Sequence, residues 1–140
     1  MKNGHPQLFL SHASHDSAQV EQIGEFLRER GYSIWFDEGE MASGHEWADR
    51  VFERIKQSDA FVSFVSPGRK DSRWQLVELG AALIPSSEGK LRLLPVLLPG
   101  ATAADVPGPL KRLLPISEPT PELVADRIQE ALAGTPVAAA

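Results

Sequence analysis

The sequence predicts an α/β domain with a parallel sheet and helices packed on both faces. Three observations carry this expectation. Short apolar runs alternate with longer amphipathic stretches along the chain, the pattern of repeated strand–helix units. The run AFVSFVS at 60–66 is almost continuously apolar, as a strand covered on both sides requires. The composition, 42% hydrophobic and 24% charged over 140 residues, is that of one globular domain. A chain of this length buries roughly two thirds of its unfolded surface.

Each element has a local reason. Residues 7–11 (QLFLS) read as the first strand. Residues 16–30 place Val20, Ile23, Phe26 and Leu27 on one helical face and stop at Gly31, a residue suited to a helix C-terminus. YSIWF at 32–36 is the second strand, rich in aromatic and β-branched residues. The polar, glycine-containing loop Asp37–His45 follows. Ser43 and Glu46 then have capping-box spacing for a helix over 45–57, in which Trp47, Val51 and Ile55 line up. After strand 60–66, Ser72 and Gln75 repeat that spacing and open a helix over 72–84. Its Leu76, Leu79 and Leu83 follow i, i+3, i+7 and are expected to face the core, with Trp74 and Glu78 on the opposite side.

LRLLPVLLP at 91–99 is the next strand, and Pro95, with no N–H to give a ladder, marks an edge or an interruption. The proline-rich stretch 99–119 reads as an irregular connection. Thr120 and Pro121 suit the N-cap and first position of a last helix that keeps Leu123, Val124, Ile128, Ala131 and Leu132 together and stops at Gly134. The domain is expected over 1–134, with 135–140 a tail or the start of a linker.

Composition narrows the function. A net charge of −5 argues against direct nucleic-acid binding, which wants clustered Lys and Arg. The absence of cysteine excludes disulfides, thiolate nucleophiles and cysteine-held metals. MKNGHPQ leads straight into LFL without the pattern of a secretory signal, and no apolar run approaches the roughly 20 residues of a membrane span. A cytoplasmic protein without membrane contact is the expectation.

Parallel sheets of this kind bind ligands outside the carboxyl ends of their strands. Three segments converge there: Ser11–His12–Ala13–Ser14, the loop Asp37–His45, and Ser66 through Glu78. In the third, Trp74 and Glu78 are one helical turn apart, an aromatic and a carboxylate set off the buried face. Other chemistries fit less well. His12 and His15 have H-x-x-H spacing with Asp16 next, but a zinc site needs a third and usually a fourth ligand, and His5 and His45 lack the spacing. Turn or N-cap roles suit Ser14 and Asp16 better. The G-x-S-x-G elbow, the dinucleotide glycine fingerprint and the Walker pattern do not occur. A phosphoacceptor domain would want an aspartate where the third strand ends in Ser66.

Taken in order, LFLSHASHD, GYSIWFDE, MASGHEW, FVSFVSP and SRWQLVELGAAL resemble a Toll/interleukin-1 receptor (TIR) domain of the bacterial, NAD+-cleaving type. The likeness covers roughly 7–98 and continues more weakly through the last helix. It implies a flavodoxin-like three-layer fold with a five-stranded parallel sheet. It implies cleavage of NAD+ at the nicotinamide–ribose bond, giving nicotinamide and ADP-ribose or a cyclic isomer, with Glu78 as the catalytic carboxylate. By the same resemblance Trp74, Ser11, His12, Asp37 and Trp47 line the substrate cleft. The loop carrying Asp37, Gly39, Gly44 and His45 bridges to a neighbour in a homotypic assembly. NAD+ is the substrate, so no cofactor or metal is implied, and bacterial anti-phage immunity is the implied setting. Two other readings stand beside this one: a non-catalytic TIR scaffold for homotypic interaction, and a generic flavodoxin-like nucleotide binder.

Overall fold

The computed structural model describes residues 6–36, 45–68 and 73–133, with 45–48 and 73–74 described by their backbone. Among these residues four strands, β1 (Gln7–Ser11), β2 (Ser33–Phe36), β3 (Ala60–Val65) and β4 (Arg92–Leu97), alternate with four α-helices. These are α1 (Ser17–Glu29), α2 (His45–Gln57), α3 (Arg73–Ser87) and α4 (Pro121–Ala133). The strands are all parallel, in the order β2-β1-β3-β4. From β1 the chain steps outward to β2 on one side, then returns to β3 and β4 on the other. The reversal falls between β1 and β3, the place where sheets of this class open a crevice.

Alternation along the strands divides the core. Leu8, Leu10, Val62, Phe64, Leu94 and Val96 meet α1 and α4 through Val20, Ile23, Leu27, Val124 and Ile128. On the other face Phe9, Phe61, Val65 and Leu97 meet α2 and α3 through Val51, Ile55, Leu79 and Ala82. Phe9 stacks between Trp35 and Phe61, with ring centroids 5.0 and 5.4 Å away. Both faces of β3 are covered, which is why its six residues are all buried and its sequence is so apolar. Among the described residues no helix is long and apolar enough to cross a membrane.

The helix ends follow the sequence signals. After α1, Tyr32 N donates to Leu27 O and Gly31 N to Arg28 O, a Schellman closure with Gly31 at φ 96°. At α4, the Thr120 hydroxyl accepts from Leu123 N at 3.2 Å, as an N-cap does. α3 runs past the expected end at 84, through Pro85 to Ser87. Its closure repeats that of α1, with Lys90 N on Pro85 O and Gly89 N on Ser86 O.

The fifth strand is reduced to one bridge among the described residues. Val96 pairs with Ile116, Leu97 N donating to Ile116 O and Ile116 N to Pro95 O. Pro115 and Pro119 flank that position and have no N–H to extend a ladder. Pro95 itself sits where the sequence placed it. Its carbonyl faces Ile116, so its nitrogen lies on the side away from β3 and costs the β3–β4 ladder nothing.

The phase of α3 differs from the expectation. Leu79 is buried and Leu83 partly so, but Leu76 is 49% exposed, and Glu78 points inward with no exposed surface. The buried face is Gln75, Glu78, Leu79 and Ala82. Apolar residues occur on every side of this helix, so the leucine spacing does not fix its rotation. Polar partners waiting at the ends of β1 and β3 do.

Candidate active site

Among the described residues, seven polar or charged ones are buried: Ser11, Asp16, Ser58, Ser63, Ser66, Gln75 and Glu78. All but Ser58 gather toward the carboxyl ends of β1 and β3, beside the switch point. Ser11 closes β1 and pairs in register with Ser63 of β3. Burying such groups is costly unless each finds a hydrogen bond, so their concentration in one place needs local partners.

Ser11 Oγ donates to Glu78 Oε1 at 2.7 Å, fully out of solvent. Gln75, one turn earlier on the same face of α3, donates from Nε2 to Phe64 O at 2.8 Å and Ser11 O at 3.3 Å. On the far side of the cluster, Ser66 Oγ donates to Asp16 Oδ2, and His15 Nε2 lies 3.5 Å from that carboxylate oxygen. Asp16 thus ends the 3₁₀ turn Ser14–Asp16 and precedes α1, as a turn or N-cap residue does. Its side chain makes no cap bond, however, and reaches Ser66 instead. His12 stands at the rim, with Nδ1 3.3 Å from Leu10 O, Nε2 3.2 Å from Ser17 Oγ and its ring edge-on to Phe36.

Of the residues singled out from the sequence, Ser11 and Glu78 come into direct contact, and His12 follows Ser11 in the chain. Glu78 is not the outward-facing carboxylate that the leucine stripe suggested. Trp74 and Trp47 fall in the first turns of α3 and α2, as does His45, and their side chains lie outside the described residues. Asp37, Gly39 and Gly44 also lie outside them, as do the capping residues Ser43 and Ser72. Local spacing singles out none of Asp16, Ser63, Ser66 and Gln75 as site residues, although Ser66 and Gln75 fall in the segment expected at this end of the sheet. The signal available for the serines was polarity inside otherwise apolar strands, at FVSFVS.

A cleft of about 710 Å³ lies elsewhere, along the edge strand β2, lined by residues that include Trp35, Phe36, Arg50 and Arg54. It contains neither Ser11 nor Glu78, and its aromatic side chains carry stacked guanidinium groups: Arg54 sits 5.7 Å from the Trp35 ring and Arg28 5.4 Å from Phe36. Volume alone does not locate chemistry. The buried carboxylate at the switch point is the stronger indicator.

What the buried cluster can do is hold one carboxylate, desolvated and oriented, at the mouth of the β1–β3 crevice. A fixed negative charge in a low-dielectric setting stabilises a developing cation far better than the same charge in water.

Comparison with known proteins agrees with this architecture. A family model described as TIR domain matches residues 8–131. A protein of Bacteroides thetaiotaomicron named 2′ cyclic ADP-D-ribose synthase BtTIR is 27% identical over 89 residues, 63% of this chain and 31% of the relative. The stimulator of interferon genes protein of Magallana gigas is 28% identical over 114 residues, 78% of this chain and 28% of that one. Among solved structures, a metazoan TIR-STING receptor from C. gigas in complex with 2′,3′-cGAMP superposes with a TM-score of 0.71 at 26% identity, over 89% of this chain and 38% of its own. The chain spans about a third of the length of the curated relatives it matches.

Proposed function

The chain belongs to the TIR domain family, and on that premise we propose that it cleaves NAD+ at the nicotinamide–ribose bond, with Glu78 as the catalytic carboxylate. One observation carries the reading: a fully buried glutamate, held by Ser11 Oγ at 2.7 Å, at the switch point between β1 and β3. The likeness to a protein named as a 2′ cyclic ADP-D-ribose synthase supports the substrate class.

The chemistry explains why one carboxylate suffices. Hydrolysis of an ordinary glycoside needs an acid to protonate the leaving oxygen and a second carboxylate on the other side. In NAD+ the leaving group is a pyridinium. When the C1′–N bond breaks, its electron pair passes to the ring nitrogen and neutral nicotinamide departs without a proton. The ribosyl fragment is left as an oxocarbenium-like cation, and Glu78 stabilises it electrostatically. Attack by water at C1′ gives ADP-ribose and one proton. Attack by a nucleophile of the same molecule gives a cyclic isomer and the same nicotinamide. Ser11 orients the carboxylate, and the family resemblance assigns substrate binding to Trp74 and Trp47, residues whose aromatic faces suit stacking. His12 stands at the rim, and the same resemblance assigns Asp37 to substrate binding.

The test is direct. Concentrated protein incubated with NAD+ should release free nicotinamide together with ADP-ribose or a cyclic isomer, resolved by chromatography. Neither appearing in an assembled sample would end the enzymatic reading.

A scaffold function has its own supporting observation. Leu76, Val77, Ile84 and Leu114 are large apolar side chains exposed at 49, 40, 68 and 91%. Residues of this kind on one domain favour association, and self-assembly belongs to both readings. What separates them is catalysis, and the buried carboxylate favours the enzyme.

A further inference from the structure

We propose that Gln75 is the positioning residue of the site: its carboxamide locks the rotation of α3 against the ends of β1 and β3 and thereby sets where Glu78 points. The proposal deepens the reading of Glu78 as the working carboxylate and rests on it.

β1 ends at Ser11, level with Ser63, while β3 continues to Val65. Val65 O accepts from Leu98 N on the β4 side, so Phe64 O, one residue earlier, faces the β1 side. At that level β1 has just finished. Phe64 O is therefore left at the open end of the β1–β3 pair, beside Ser11 O, which ends the ladder, in a place closed to water. Gln75 Nε2 donates to both, at 3.3 and 2.8 Å. A primary amide has two N–H donors, and here both have a carbonyl to meet.

The consequence falls on Glu78. Residues 75 and 78 are i and i+3 on one helix face. Gln75 ties that face to two strands at once, so α3 can neither rotate about its axis nor slide along the crevice without breaking a buried bond. Glu78, one turn on, is carried to Ser11 Oγ. The two contacts also converge on Ser11, whose carbonyl takes the Gln75 amide and whose hydroxyl serves Glu78. Leucine packing cannot supply this constraint, because α3 is apolar on all sides and Leu76 stays half exposed.

A residue acting this way should govern turnover more than binding. Gln75→Met keeps length and shape but removes both donors, and Gln75→Asn keeps the donors but draws them back by one methylene. In variants whose far-UV circular dichroism matches wild type, kcat for NAD+ cleavage should fall by roughly 10- to 100-fold, the scale of a small misplacement of a reacting group. KM should change by less than about threefold. A second readout needs no turnover. With ¹³C-labelled glutamate, the Glu78 carboxyl resonance is assigned by its loss in Glu78→Gln and followed through a pH titration. Its midpoint should differ between wild type and Gln75→Met.

Folded Gln75→Met with unchanged kcat and an unchanged Glu78 titration overturns the proposal. Failure of both variants to fold also overturns it, since Gln75 would then be a folding determinant. If Glu78→Gln still cleaves NAD+, the functional reading falls, and the titration alone decides whether Gln75 sets the environment of Glu78.

Discussion

Ser11 and Glu78 are 67 residues apart in the chain and 2.7 Å apart in the fold, hydroxyl to carboxylate, with neither side chain reaching solvent. One residue closes the first strand and the other lies on the third helix. The bond spans the point where the strand order reverses, so the topology of the sheet brings the pair together.

Removing the hydroxyl tests that relationship from the strand side. Ser11→Ala leaves the Glu78 carboxylate buried without this donor. A loss of about 1–3 kcal/mol in stability is expected, measured by urea denaturation with an unchanged slope. The rate of NAD+ cleavage should fall by roughly tenfold or more in the folded variant, because the carboxylate loses its orienting partner. A variant as stable and as active as wild type would contradict the contact's assigned role.

A second prediction concerns the wall behind His12. Gly24 lies in α1 against β2, and a Cβ there would come within 2.6 Å of the Phe36 ring. Gly24→Ala improves helix propensity by about 1 kcal/mol, yet overpacking of this kind costs about 1–3 kcal/mol. The ring must move, and Phe36 stacks edge-on with His12 and under Arg28. A lower Tm is expected, with altered aromatic signals in near-UV circular dichroism. A higher Tm would mean that Phe36 yields freely.

Much of this arrangement was legible in the sequence. The strands, α1 and α2 follow from periodicity, and Gly31 and Thr120 act as the stop and start that their chemistry suggests. Pro95 pointed to an edge, and the β4 ladder shows why. Three things were not legible. The rotation of α3 cannot be read locally because its apolar residues do not favour one face, while the partners of Gln75 and Glu78 come from distant strands. The bond between Asp16 and Ser66 joins residues 50 apart, and no local spacing announces it. The fifth strand shrank to a bridge at Ile116 because prolines deny its neighbours their donors.

Assembly gives a third prediction. Ile84 and Leu114 are exposed at 68 and 91%. Specific activity should rise with protein concentration, and Ile84→Asp or Leu114→Asp should flatten that rise while changing monomer stability by less than about 0.5 kcal/mol. Light scattering run beside the assay checks it. A strictly monomeric sample with the same specific activity from nanomolar to high micromolar protein would contradict the role of association.

The central claim is tested most directly by Glu78→Gln, assayed on NAD+ at a temperature where circular dichroism shows both proteins folded. The buried amide keeps an acceptor for Ser11 but loses the charge, and a stability cost of about 1–3 kcal/mol is expected. Nicotinamide release should fall by at least about 100-fold, the scale of losing a charge that stabilises a cationic transition state. A folded Glu78→Gln protein that releases nicotinamide within about threefold of the wild-type rate would contradict it.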